Sequence, residues 1–159
     1  MSKTQIISAE ARRAEIQAHA AALGIDEDYI SLLVDSFYEK IRAHPALGPI
    51  FNDAIKDNWG PHLAKMKDFW ASVALNAGRY SGRPVPAHAK LTTVRPAHFS
   101  VWLGLFHQTL EETAPTPAAV LYFMERAERI AQSLQLAMFG APELNAARAA
   151  AATPEQDAP

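Results

Sequence analysis

Apolar residues recur along this chain at intervals of three and four, the spacing of one face of an α-helix. Ile30, Leu33, Val34, Phe37, Tyr38 and Ile41 form the first full stripe and predict a helix over residues 27 to 43. Asp26 or Asp28 can cap its start. His44-Pro45 stops it, because the residue before proline is pushed out of helical backbone space. A second stripe is Trp59, His62, Leu63, Met66, Phe69, Trp70 and Val73. Asn58 stands at its cap, Gly60-Pro61 in its first turn, and Asn76-Ala77-Gly78 at its end. Pro96 opens a third helix, with Phe99, Trp102, Leu103, Phe106 and Leu110 on one side. Thr116 and Pro117 open a fourth, which carries Val120, Phe123, Met124, Ala127, Ile130, Ala131, Leu134 and Met138 and ends at Phe139-Gly140.

The intervening stretches are shorter. Residues 9 to 22 are rich in Ala, Glu and Arg, with Ile16 the only large apolar side chain; they predict an accessory helix closed by Leu23-Gly24. Pro45 to Phe51 reads as a tight connector with one turn of 3₁₀-helix, a rigid corner that aims Phe51 inward. Arg79 to Val85 reads as a loop, and Pro86 suits the start of a short helix that holds His88, Lys90 and Leu91. No strand-like alternation, hairpin signal, phosphate loop or internal repeat interrupts the pattern. The expected fold is all-α. Residues 1–24 are expected as an N-terminal, helical extension, 25–140 as one globular domain, and 141–159 as a flexible Ala- and Pro-rich tail.

Composition narrows the function. With 159 residues, 49% of them hydrophobic, the chain can bury one core of ordinary size. A net charge of -2 gives no bulk attraction to nucleic acid or an anionic membrane. The absence of cysteine removes disulfides, thiolate catalysis, thiolate-ligated haem, iron–sulfur clusters and Cys-based zinc sites together. The first residues lack a secretory pattern, and no apolar run approaches the ~18 residues of a membrane span. The cytoplasm is the expected compartment.

The candidate chemistry lies on the stripes. His62 falls on the long second helix and His88 on the short one after the loop, both at positions expected to point inward. Two imidazoles facing one apolar slot is the arrangement that a haem iron uses. Taken singly, each residue also has a plainer reading. Tyr38 reads equally as a core tyrosine bonded to a carbonyl, and His62 as a core or edge histidine. His62, His88 and Trp102 together read also as the core of a cofactor-free interaction module. A zinc site has less support, since no H-E-x-x-H spacing occurs. His19, His98 and His107 read as surface or edge histidines.

Five segments taken together resemble a known family. They are F-Y-E-K-I-R (37–42), L-G-P-I-F (47–51), W-x-x-H-L-x-x-M-x-x-F-W (59–70), Y-x-G-x-P-x-x-x-H (80–88) and H-F-x-x-W-L-x-L-F (98–106). In this order and spacing they resemble the truncated haemoglobins, group III most closely, and the chain lacks the paired-glycine motifs of the other two groups. The resemblance implies a globin-like two-over-two helical sandwich around haem b. It implies His88 as the iron ligand, Tyr38, His62 and Trp102 beside the bound gas, and Phe51 at the corner. The slot would be lined by Phe51, His62, Met66, Phe69, Trp70, His88 and Leu91. Met66 departs from the branched aliphatic residue often found there, and a thioether can ligate iron. Haem propionates need cations or hydroxyls at the rim, and Lys90, Arg83, Arg95 and Tyr80 are the candidates nearby in sequence. The implied ligands are O₂, NO and CO. The implied chemistry is oxygen binding, with NO-detoxifying or peroxidase-like turnover driven by a separate reductase; the alternative is a gas or redox sensor that signals to a separate partner.

Overall fold

The computed structural model of the chain describes residues 8–78 and 93–140. These residues form helices α1 (Ala9–Ala22), α2 (Glu27–Ala43), α3 (Leu47–Ile55), α4 (Trp59–Leu75), α5 (Pro96–Thr113) and α6 (Pro117–Phe139). Among the described residues there is no strand. None of these helices is long and apolar enough to cross a membrane.

Local chemistry sets the ends. The Ser8 hydroxyl accepts from the Ala11 N–H at 3.0 Å, and the Asp26 carboxylate from the Tyr29 N–H at 2.8 Å. Thr116 does two jobs: its hydroxyl accepts from the Ala119 N–H and donates to the Leu23 carbonyl at 2.8 Å. That second bond ties the α1–α2 corner to the α5–α6 corner. Gly24 sits in the same place with φ of +84°, and a side chain there would meet Pro115. Asn58 holds the cap position of α4 without a side-chain bond; only its carbonyl takes part, accepting from the His62 N–H.

One expected element differs. The stretch after Pro45 is not a connector with a single 3₁₀ turn but the start of α3, a nine-residue α-helix. His44 supplies the missing cap, since its Nδ1 accepts from the backbone N–H groups of Ala46 and Leu47. Pro49 then falls in the first turn, where no N–H is required. α3 leaves α2 so closely that a Cβ on Gly48 would stand 2.7 Å from the Arg42 carbonyl oxygen. α3 ends at Lys56, whose φ of +59° lies in the region that favours glycine, a strain of about 1–3 kcal/mol. The turn into α4 is therefore short and forced.

α2 and α4 form one layer, α5 and α6 the other, and α2 packs directly on α5. The core between the layers is built from Ile30, Leu33, Phe37, Phe106, Leu110 and Phe123, each 1% exposed or less. Among the described residues the only buried residue of the polar or charged classes is Thr109, whose hydroxyl donates to the Leu105 carbonyl. Thr113 donates to the Thr109 carbonyl in turn, so the Tyr29 hydroxyl is the donor in its 3.0 Å bond to Thr113. α1 lies against α4. The Gln17 amide donates to the Leu75 carbonyl, and the Tyr122 hydroxyl to the Ala74 carbonyl at 2.7 Å. Both carbonyls belong to the last turn of α4, where no helical partner is left for them.

Burial raises the pKa of Tyr29, Tyr38 and Tyr122 above the ordinary tyrosine value of 10.0. The folded chain thus keeps protons that the unfolded chain releases near that value. Stability is expected to hold up to about pH 10 and then fall as pH rises, by up to ~1.4 kcal/mol per pH unit for Tyr38 and by less for Tyr29 and Tyr122, whose shifts are smaller. Tyr38→Phe removes one of these groups and should make the decline shallower. Urea unfolding of both proteins at about pH 9 and about pH 11 measures this; identical declines would contradict it.

Candidate functional site

The stripe of α2 carries Tyr38 to the place where α3 and α4 meet it, and leaves the side chain 5% exposed. Four rings surround it edge-on. Phe37 lies at 5.1 Å between centroids, His62 at 5.5 Å, Trp59 at 5.9 Å and Phe51 at 6.0 Å. Positive ring edges meeting negative ring faces favour this geometry over parallel stacking. Among the described residues the Tyr38 hydroxyl has no hydrogen-bond partner, and burial alone drives its pKa upward. It keeps its proton throughout the physiological range and can donate it.

His62 comes from the first turn of α4. Its ring stands at 87° to Tyr38 and at 89° to Trp59, and its Nε2 is closed off from solvent. Met66 and Phe69 follow at helical spacing, both half-buried. Trp102 enters from α5. It meets Phe37 at 5.4 Å edge-on and lies flat on Phe106 at 5.6 Å and 5°. Its indole N–H makes no hydrogen bond among the described residues. Phe37 thus stands between Tyr38 and Trp102 and touches both.

The expected residues fall into three groups. Tyr38, His62, Trp102 and Phe51 are brought together, joined by the ring contacts above. Met66 and Phe69 continue the α4 wall, half-buried and packed against the core. Trp70 does not belong to that wall: it is 2% exposed and stacked on Phe106 at 5.0 Å, with Phe123 on its other side at 5.9 Å. His88 and Leu91 lie outside the described residues, as do Tyr80, Arg83 and Lys90. Arg95 is exposed at the start of α5, where its backbone N–H donates to His98 Nδ1.

Two participants carried no assigned role in the sequence. Phe37 is the ring that links the tyrosine to the tryptophan. Trp59 is the ring on which both Tyr38 and His62 rest, and it is fixed in turn. Its indole N–H donates to Asn52 Oδ1 at 3.1 Å, and the Arg42 guanidinium lies 4.5 Å from its centroid. The one available signal was its spacing, one turn before His62.

These residues fit a haem. Phe51, Leu63, Met66, Phe69, Trp102 and Leu103 are apolar, half-buried and packed against the core, as the wall of a flat apolar ring requires. Tyr38 is 5% exposed, and its hydroxyl, which has no hydrogen-bond partner among the described residues, is available to donate to a polar one. A cation site has no such support: among the described residues no group of three or more His, Asp or Glu side chains could hold a metal ion.

No family model matches the chain. A group 3 truncated haemoglobin of Campylobacter jejuni is 40% identical over 89 residues, which cover 54% of this chain and 70% of that protein. The crystal structure of a group III truncated haemoglobin from Campylobacter jejuni superimposes with a TM-score of 0.68 at 35% identity, over 72% of this chain and 92% of that one. The all-helical two-over-two fold, the ring cluster around Tyr38 and this degree of identity agree, and the chain belongs to the group III truncated haemoglobins.

Proposed function

We propose that the chain binds haem b through His88 and holds a diatomic gas on the side of Tyr38, His62 and Trp102. The observation that carries this reading is Tyr38: 5% exposed, enclosed by four rings, and with a protonated hydroxyl that makes no hydrogen bond among the described residues. When bound, haem supplies an open iron position for O₂, CO or NO, and one electron when O₂ and NO combine to nitrate, an electron that a separate reductase returns.

The chain's residues then divide the work. His88 holds the cofactor; its place in Y-x-G-x-P-x-x-x-H (80–88) supports the assignment. Phe51, Met66 and Phe69 exclude water from the ring and keep the local dielectric low. Tyr38 and Trp102 donate hydrogen bonds to a ligand that gathers negative charge. Trp102 can only donate, since an indole nitrogen has no acceptor. Such charge-assisted bonds contribute about 1.5–3 kcal/mol each in a dry pocket. O₂ gathers charge and CO does not, so these donors discriminate in favour of O₂. A pocket richer in donors than simple storage needs suits NO detoxification.

His88→Ala is expected to lose stoichiometric haem and the parent's ferrous absorption spectrum. Full haem content with an unchanged spectrum would remove His88 as the ligand. Tyr38→Phe and Trp102→Phe should each release O₂ about 10- to 100-fold faster, with CO release changed far less. Stopped-flow displacement measures both, and unchanged O₂ rates in the two variants would refute the donor role. Mixing the oxygenated protein with NO should yield one nitrate per haem; a clear shortfall would exclude the NO reaction.

A further inference from the structure

Trp59 is the first residue of α4, precedes His62 by one helical turn and is 7% exposed. Three elements converge on it. α2 lays Arg42 over its face, α3 offers Asn52 to its N–H, and α4 carries it. Its inner side meets Tyr38 at 5.9 Å and 61°, and His62 at 5.7 Å and 89°. The two residues also meet each other at 5.5 Å. Tyr38, Trp59 and His62 are therefore mutually in contact, three rings each turned steeply to the others. No one of them can rotate without pushing a second. Trp59 is anchored from outside the triangle by a hydrogen bond from its indole N–H to Asn52 and by the Arg42 guanidinium over its face. Between Asn52 and Trp59 the chain passes through the positive-φ residue Lys56, where α3 ends.

We propose that Trp59 is a positioning residue for gas binding: pinned by Asn52 and covered by Arg42, it fixes the angle at which the Tyr38 hydroxyl meets the ligand. This rests on the haem reading above. Trp59 does not touch the ligand; it acts through Tyr38. Removing the indole opens a void beside Tyr38 and His62, and both rings gain rotational room. A hydrogen bond weakens steeply as its angle degrades, so a loosened hydroxyl donates poorly even though it is still present. A phenyl ring at the same position keeps most of the contact and loses the tether to Asn52.

The test is a cycle of haem-loaded variants followed by stopped-flow O₂ release. Trp59→Ala should accelerate release about tenfold, and Trp59→Phe and Asn52→Ala each by a smaller factor in the same direction. In a Tyr38→Phe background the same Trp59→Ala change should add less than about twofold, because the group it positions is gone. CO release should stay near the parent value, while the infrared band of bound CO broadens as the donor takes several orientations. In haem-free protein, NMR of ring-labelled tyrosine should show slow flipping of Tyr38 in the parent and fast flipping in Trp59→Ala. Equal acceleration by Trp59→Ala with and without Tyr38 would overturn the proposal, because Trp59 would then act on the pocket as a whole. An inert Trp59→Ala beside an accelerating Tyr38→Phe would sink the brace and leave the haem reading standing. A parent protein with no Soret band after haemin addition would sink the haem reading, and the brace with it. Should Trp59→Ala fail to fold, Trp59→Phe and Asn52→Ala decide alone: parent-like release in both overturns the proposal.

Discussion

The site depends on holding the Tyr38 ring, 5% exposed, in a shell of other rings while its hydroxyl makes no hydrogen bond among the described residues. A hydroxyl without a bond is costly to bury, about 1–3 kcal/mol by the measure of core substitutions when burial is complete. The edge-on contacts of Tyr38 with Phe37, Phe51, Trp59 and His62 favour its placement there. The same contacts make the tyrosine hard to move. A group that is both dry and immobile is a strong donor, because it has neither solvent nor rotamer freedom to give up when a ligand arrives.

The rest of the fold can be understood as support for that arrangement. α4 carries Trp59 and His62 at one end, so any slip of α4 would displace them. Its other end is held by the Gln17 and Tyr122 side chains, which bond the Leu75 and Ala74 carbonyls. α1, short of large apolar side chains, adds a polar tether to the contact it makes through buried Ala20. On the far side of Tyr38, the face-to-face series Trp102, Phe106 and Trp70 runs from the site into the core. The flat rings give Trp102 a rigid backing, so its N–H faces a fixed direction.

Much of this was legible in the sequence. The four long helices follow from their stripes, and Asp26 and Thr116 act as caps where the pattern placed them. Tyr38, His62 and Trp102 each lie on a helical stripe, but it was the family resemblance, not the stripes, that grouped them. α3 was not legible as a helix, because its cap is a histidine imidazole rather than a short polar side chain, and prolines flank its start. Trp70 shows a different limit. It follows Phe69 directly, and a stripe wide enough to hold both does not say which faces the slot and which faces the core. Trp59 shows the limit most clearly. Its neighbours Arg42 and Asn52 stand on two other helices, and helical spacing carries no information about how elements cross.

On the proposed reading, the chemistry of the donors would set which ligands the pocket favours. Trp102 has only a hydrogen to give, and Tyr38, held neutral by burial, can give one as well. Both would reward negative charge on the ligand and do far less for a neutral one. An imidazole at His62 is less committed, since it can donate or accept according to its tautomer. Its ring is nonetheless held perpendicular to both Tyr38 and Trp59, so its nitrogens cannot turn independently of theirs. On that reading, selectivity would reside less in the number of polar groups than in the apolar rings packed around them.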